Sequence, residues 1–148
     1  MNKKSVVIVG VIFISFFCIG VGNTDDSHKW ILYGKSDMGD SYYDHSSITE
    51  VSPNIIQLWN KDKYSKIGKG LIIQGRKSIN LSIDGYDKLD YATDILELDC
   101  VYRTIKDIFF VEYDDDDQVL FEYDIPSAKI KPVSPGSIQE NLLKEVCP

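Results

Sequence analysis

Along residues 55–64 (IIQLWNKDKY) apolar and polar positions alternate. Ile56, Leu58 and Asn60 fall on one face, and Ile55, Gln57, Trp59 and Lys61 on the other. A period of two is that of a β-strand. Residues 91–100 read the same way, with Ala92, Leu96, Leu98 and Cys100 facing one side and Glu97 and Asp99 the other. Strands at 104–113 and 119–123 follow at hairpin distance, and closely spaced consecutive strands pair antiparallel. Upstream, residues 29–33 (KWILY) and 41–44 (SYYD) flank a loop of turn-forming residues at 34–40. Residues 45–50 read as a helical turn that Asp44 caps and Ile48 anchors, and Pro53-Asn54 as a turn.

The period changes in two places. Within residues 66–84, Leu71, Ile72, Gly75 and Ile79 suit one side of a helix. Gly68, Gly70 and Gly75 oppose it, each costing about 1 kcal/mol relative to alanine, so the segment reads as a short helix or a mobile excursion. Residues 85–90 read as a turn, and residues 126–136, with three prolines, as a connector without regular structure. At the C-terminus, Ser137 and Glu140 form a capping box ahead of Ile138, Leu142 and Val146 at helical spacing, with Ser134-Pro135 as the competing start. Leu143 and Cys147 stand four apart, on a core-facing side of that helix. The fold class that results is α+β: an antiparallel sheet of about six strands packed by a C-terminal helix, with a short helix between strands three and four.

Before all this comes a different kind of segment. Lys3 and Lys4 precede an apolar run from Val6 to Val21, with Gly20 and Gly22 as small residues at a cleavage site. The run has 16 residues, short of the roughly 20 that span a bilayer, and reads as an export signal over residues 1–22 rather than a retained anchor. Cys18 raises the option of lipid attachment, but Ser15, Phe16 and Phe17 before it suit a lipobox badly. Residues 23–28 are a polar linker and residues 29–148 one domain, exported to the periplasm or cell surface of a bacterium. Without the signal, 14 basic residues face 23 acidic ones, a formal charge of −9. So acidic a domain has no field for nucleic acid, and with 43% hydrophobic residues the chain is too apolar for disorder.

Beyond Cys18, two cysteines remain, Cys100 and Cys147. An even pair in an oxidising compartment reads as a disulfide that ties the terminal helix to the sheet, and closing that loop would contribute about 4 kcal/mol. A metal pair or a catalytic thiol are the alternatives. Zinc wants four ligands, and His28 and His45 lie far off in sequence, so no metal is expected. Catalytic patterns are missing too: Asp44-His45 lacks an accompanying nucleophile motif, and Gly68-Lys69-Gly70 is not a phosphate loop. Residues 114–117, four aspartates, place Val119 and Ile125 where a calcium loop needs glycine and glutamate, and read as a solvated hairpin tip. Asn80-Leu81-Ser82 is a formal glycosylation triplet of no bacterial consequence. No cofactor is called for. Trp30, Tyr42, Tyr43, Trp59, Tyr91 and Tyr102 are among many aromatics in the first two thirds of the domain, and any that face outward favour protein recognition.

The order of short motifs carries a resemblance. Trp30 to Gly34 (WILYG) is followed by Tyr42-Tyr43-Asp44 with Ser47-Ile48, then Leu58-Trp59 leading to Tyr64. Gly85-Tyr86-Asp87 precedes Leu96-Glu97-Leu98-Asp99-Cys100 and Arg103, then Tyr113-Asp114, and Pro135-Gly136-Ser137 leads into Val146-Cys147. In this order the chain resembles the surface-adhesin protein E family of small exported bacterial domains. The resemblance implies an antiparallel sheet whose C-terminal helix is joined to it by a disulfide, at the matching Cys100 and Cys147. It also implies a non-enzymatic envelope protein, an adhesin-like module recognising another, unidentified protein. The alternative is a periplasmic structural or envelope-assembly factor.

Overall fold

The computed structural model describes residues 28–148; the segment read as an export signal, Cys18 and most of the stretch read as a polar linker lie outside them. The strands are β1 (Trp30–Ser36), β2 (Gly39–Asp44), β3 (Thr49–Ser52), β4 (Ile55–Tyr64), β5 (Leu89–Asp99), β6 (Thr104–Asp114), β7 (Val119–Asp124) and β8 (Lys131–Pro132). Helix α1 spans Lys66–Ser78 and α2 spans Ile138–Val146. Six strands form the body of the sheet in the order β1-β2-β4-β5-β6-β7, every neighbour antiparallel. Two short strands lie off this path, β3 beside β4 and β8 beside β6. The α+β reading with its six main strands therefore stands.

One face of the sheet is apolar beneath α2. Leu58, Leu96, Leu98 and Ile105 meet Leu142 and Leu143 there, all buried. Helix α2 starts where the sequence expects: Ser137 accepts from the Glu140 backbone N–H at 3.2 Å. The Glu140 carboxylate reaches one residue further back than a standard capping box, accepting from the Gly136 N–H at 2.8 Å, and Pro135 is outside the helix. Gly34 lets the helix approach β1, since a Cβ there would sit 2.2 Å from Ile138 Cγ2. Cys100, just beyond β5, is bonded to Cys147 at the end of α2 with 5.6 Å between Cα atoms, an ordinary span for a disulfide.

Four local readings change. β1 runs on to Ser36 because a bulge between Leu32 and Gly34 absorbs the register shift, leaving only Asp37 and Met38 in the turn. The helical turn after Asp44 stops at Ser47, and Thr49 onward pairs with β4 as β3, an added edge that alternation does not reveal in so polar a stretch. The proline-rich connector pairs briefly with β6 through Ile105↔Lys131. Residues 66–78 are a helix, but it turns a different side inward: Gly68 is buried and its place would put a Cβ 2.1 Å from the Met38 carbonyl oxygen. Leu71 and Ile79, expected inside, are 50% and 66% exposed.

Candidate functional site

The apolar face of the sheet turns polar partway along its central strands. On β4 the inward series runs Ile56, Leu58, Asn60, Asp62; on β5 it runs Leu98, Leu96, Asp94; on β6 Ile105 gives way to Asp107. Beside this polar stretch and the first turn of α2 lies a cleft of about 480 Å³. Its floor holds Asn60, Asp62, Asp94 and Asp107, with the Tyr33 and Tyr64 phenols beside them. Leu96, Ile105 and Ile138 supply apolar wall.

Asn60 organises the floor. Its amide nitrogen donates to Asp94 Oδ1 at 2.8 Å and to Asp62 Oδ2 at 3.2 Å, and its carbonyl accepts from the Tyr33 hydroxyl at 2.8 Å. Ser41 donates to Asp62 Oδ1 at 2.5 Å, and Lys131 to Asp107 Oδ2 at 2.6 Å. Burial pushes the Asp94 carboxyl up to about 7; the Asn60 hydrogen bond opposes that, and the nearby Asp62 and Asp107 charges reinforce it. Asp62 is raised in the same direction by burial. Burial and the neighbouring carboxylates raise both phenols, so Tyr33 and Tyr64 remain protonated donors. Neither histidine nor cysteine lines the cleft; its carboxyl groups can hold a proton or a cation.

The opposite sheet face, turned away from α2, is aromatic. Trp59 and Phe109 meet edge to face at 6.1 Å, and Tyr91 stacks on Tyr113 at 4.8 Å. Lys61 Nζ lies 3.9 Å from the Tyr91 ring centroid and 5.6 Å from that of Trp30, within cation–π range. Trp30, Tyr42, Trp59 and Tyr91 are all half-buried. The sequence places aromatics in this half of the domain, and the structure sorts them. Tyr43 and Tyr86 are buried, Tyr33 and Tyr64 line the cleft on the other face, Tyr102 is 80% exposed in the β5–β6 turn, and Trp30, Tyr42, Trp59 and Tyr91 pave this face.

Asp44 and His45 do not converge on any chemistry. Asp44 is buried and accepts from Ser46 N at 2.9 Å, Ser46 Oγ at 2.6 Å and Lys29 N at 3.1 Å. His28 closes the set, its Nδ1 2.6 Å from Asp44 Oδ2. Gly68-Lys69-Gly70 lies in the first turns of α1, which Ser65 caps by accepting from Gly68 N at 3.0 Å. The tip at residues 114–117 is only partly solvated: Asp114 is buried, and its Oδ1 accepts from the Asp116 and Gln118 amides at 2.9 and 2.8 Å. That Asx-type turn explains its burial, since the carboxylate is needed to shape the hairpin. The cleft aspartates are what the sequence reading missed. A charged residue between Ala92 and Leu96 on the inward side of β5 was their signal.

A twisted antiparallel sheet with one terminal helix bridged to it defines a class of small disulfide-closed α+β domains. The surface-adhesin protein E family model matches residues 30–148, and the chain belongs to that family. Two structures of Haemophilus influenzae protein E are similar to it. One superposes with a TM-score of 0.52 at 14% identity, over 80% of this chain and 83% of the other. Crystal form II gives 0.51 at 12% identity, over 80% and 86%. At such identities the likeness is one of fold. No curated protein sequence matches the chain. The family is one of surface adhesins rather than enzymes, and membership makes the chain an exported or surface protein. No helix among the described residues is long and apolar enough to cross a membrane.

Proposed function

We propose that this protein is a non-enzymatic, adhesin-like module of the bacterial envelope that recognises another protein through the aromatic sheet face around Trp59. Residues 1–22 would deliver it to the periplasm or cell surface. The observation that carries the reading is the Trp30–Lys61–Tyr91 stack beside the Trp59–Phe109 pair, on the sheet face away from the helix. Flat, half-buried aromatics with a cation among them offer large contact area at low entropic cost, as recognition surfaces do. Family membership supports the same reading.

The test is saturable binding of the purified domain to fractionated envelope and matrix proteins, repeated with Trp59→Ala and Tyr42→Ala. Loss of at least tenfold in affinity with unchanged thermal unfolding supports the reading. Undiminished binding by both variants removes this face from consideration. Cross-linking in cells that recovers one constant envelope partner would instead favour the assembly-factor alternative.

A further inference from the structure

We propose that the cleft beside α2 is a binding site for a primary alkylammonium group, with the Asp94 carboxylate as its counter-ion. Asp94 is 7% exposed, and what exposure it keeps is to the cleft it lines. Its Oδ1 accepts from Asn60, while among the described residues no donor reaches Oδ2. Every fully buried side-chain oxygen and nitrogen among those residues has a partner. Oδ2 is therefore not sealed in the core, and the cleft is the space open to it.

The surrounding groups are already committed. Asn60 spends both amide hydrogens on Asp62 and Asp94, and its carbonyl holds Tyr33. Ser41 and Asn60 occupy the two oxygens of Asp62. Lys131, the cation of the β8 segment, is bound to Asp107. The charged and titratable groups lining the cleft around Asp94 are thus Asp62, Lys63 and Tyr64 from β4, Tyr33 from β1, Asp107 from β6 and Lys131 from β8; Lys63 is paired with Asp90, and α2 adds no charge to the lining. One nearly buried carboxylate oxygen, among like charges and without a donor, is a site for a cation.

The geometry also selects the kind of cation. A guanidinium binds best to two coplanar oxygens, whereas Asp94 offers one, which suits the point charge of an ammonium. Leu96, Ile105 and Ile138 give a methylene stem apolar wall, and the volume falls within the range of small-ligand pockets. A metal ion fits less well. Among the described residues, only Asp114, Asp115 and Asp116 bring three ligating groups within 4.8 Å of one another, so the cleft carboxylates do not converge on a point. Alternation along β4 puts this site on the sheet face opposite Trp59, so it stands whether or not the aromatic face binds protein.

Two sources could supply the group, a free amine or a lysine side chain. Titration of the 15N-labelled domain with butylamine, and separately with a lysine-containing peptide and its acetylated form, tests the proposal. Shifts confined to Asn60, Asp94, Tyr33 and their neighbours are expected, with butylamine alone active if the source is a free amine and both probes active if it is a side chain. Acetylation should abolish the peptide's effect. Because burial raises Asp94 to about 7, affinity should rise about tenfold or more from pH 5.5 to pH 8, a range in which the amine stays charged. Asp94→Asn should lose binding while remaining folded by its amide spectrum. Absence of cleft shifts at tens of millimolar amine, equal binding by Asp94→Asn, or tighter binding of butylguanidine would overturn the proposal.

Discussion

Asn60 and Asp94 stand directly opposite each other on β4 and β5, and the amide of one donates to the carboxylate of the other at 2.8 Å inside the sheet. Burying that carboxylate has a cost at neutral pH, which the hydrogen bond from Asn60 offsets in part. Burial raises Asp94 to about 7, whereas an unfolded chain releases the same proton near 3.9. Between those values the folded state holds more protons than the unfolded one, so this group's contribution is full below about pH 4 and fades as pH rises through 7. Asp94→Asn removes the titration. In urea unfolding at matched pH, the variant should gain on the native protein by about 1–3 kcal/mol between pH 5 and pH 8. A stability difference independent of pH would refute the shift.

Asp44 has the opposite sign. Burial pushes its carboxyl up, but the hydrogen bonds from the Ser46 hydroxyl, His28 and the Ser46 and Lys29 amides outweigh that and hold it below the usual range. Its stabilisation is then present above the unfolded value near 3.9 and lost as pH falls through the folded one. Asp44→Ala should cost about 1–3 kcal/mol at pH 7, by losing the cap and leaving donors unpaired. Guanidinium unfolding at pH 7 and below pH 3 measures this, and the penalty should shrink at the acid end.

Two glycines of α1 should respond in opposite directions to alanine. At Gly75 a Cβ meets nothing within 4 Å, and the gain in helix propensity stabilises by about 0.5–1 kcal/mol. At Gly68 the same gain is overwhelmed by contact with the Met38 backbone oxygen at 2.1 Å, which the helix can relieve only by moving away. Gly68→Ala should lose about 1–3 kcal/mol net. Thermal melts of the two single variants decide it; a stabilised Gly68→Ala would mean that α1 does not rest on the β1–β2 turn.

Replacing Cys100 or Cys147 by serine should lower stability by about 2–5 kcal/mol, chiefly by freeing the enclosed segment in the unfolded state. Helix α2 keeps its Ser137 cap and its buried Leu142 and Leu143, so the variants should still fold. Thiol titration of the native protein under denaturing, non-reducing conditions supplies the control: free thiols at these two positions would mean that the bridge is not formed.

The sheet was legible where alternation is strict. Residues 55–64 emerged with unchanged boundaries as β4, and the Ser137 cap located α2 to the residue. Polar strands gave no such signal. β3 (TEVS) is exposed throughout and exists by pairing with β4, a fact about the neighbour rather than its own sequence. For α1, periodicity grouped Leu71 with Ile79, but the closest approach is made where the side chain is smallest, at Gly68. The cleft was hidden for a related reason. Asp62, Asp94 and Asp107 come from three strands, and only the register that sets Asn60 against Asp94 and Leu96 against Asp107 gathers them.

The Cys100–Cys147 bridge also decides how the domain would answer a mechanical pull. Tension applied between Trp30 and Cys147 would pass along the chain to Cys100 and then cross the sulfurs, bypassing the loop that contains β6, β7, β8 and all of α2. Those elements would carry no load through their backbone. Peeling β1, β2, β4 and β5 away would release a tether of about 240 Å at ~3.4 Å per residue, and extension would stop there until the disulfide was reduced. The bridge thus sets a fixed limit on stretch and leaves the β6–β7 hairpin outside the path of force.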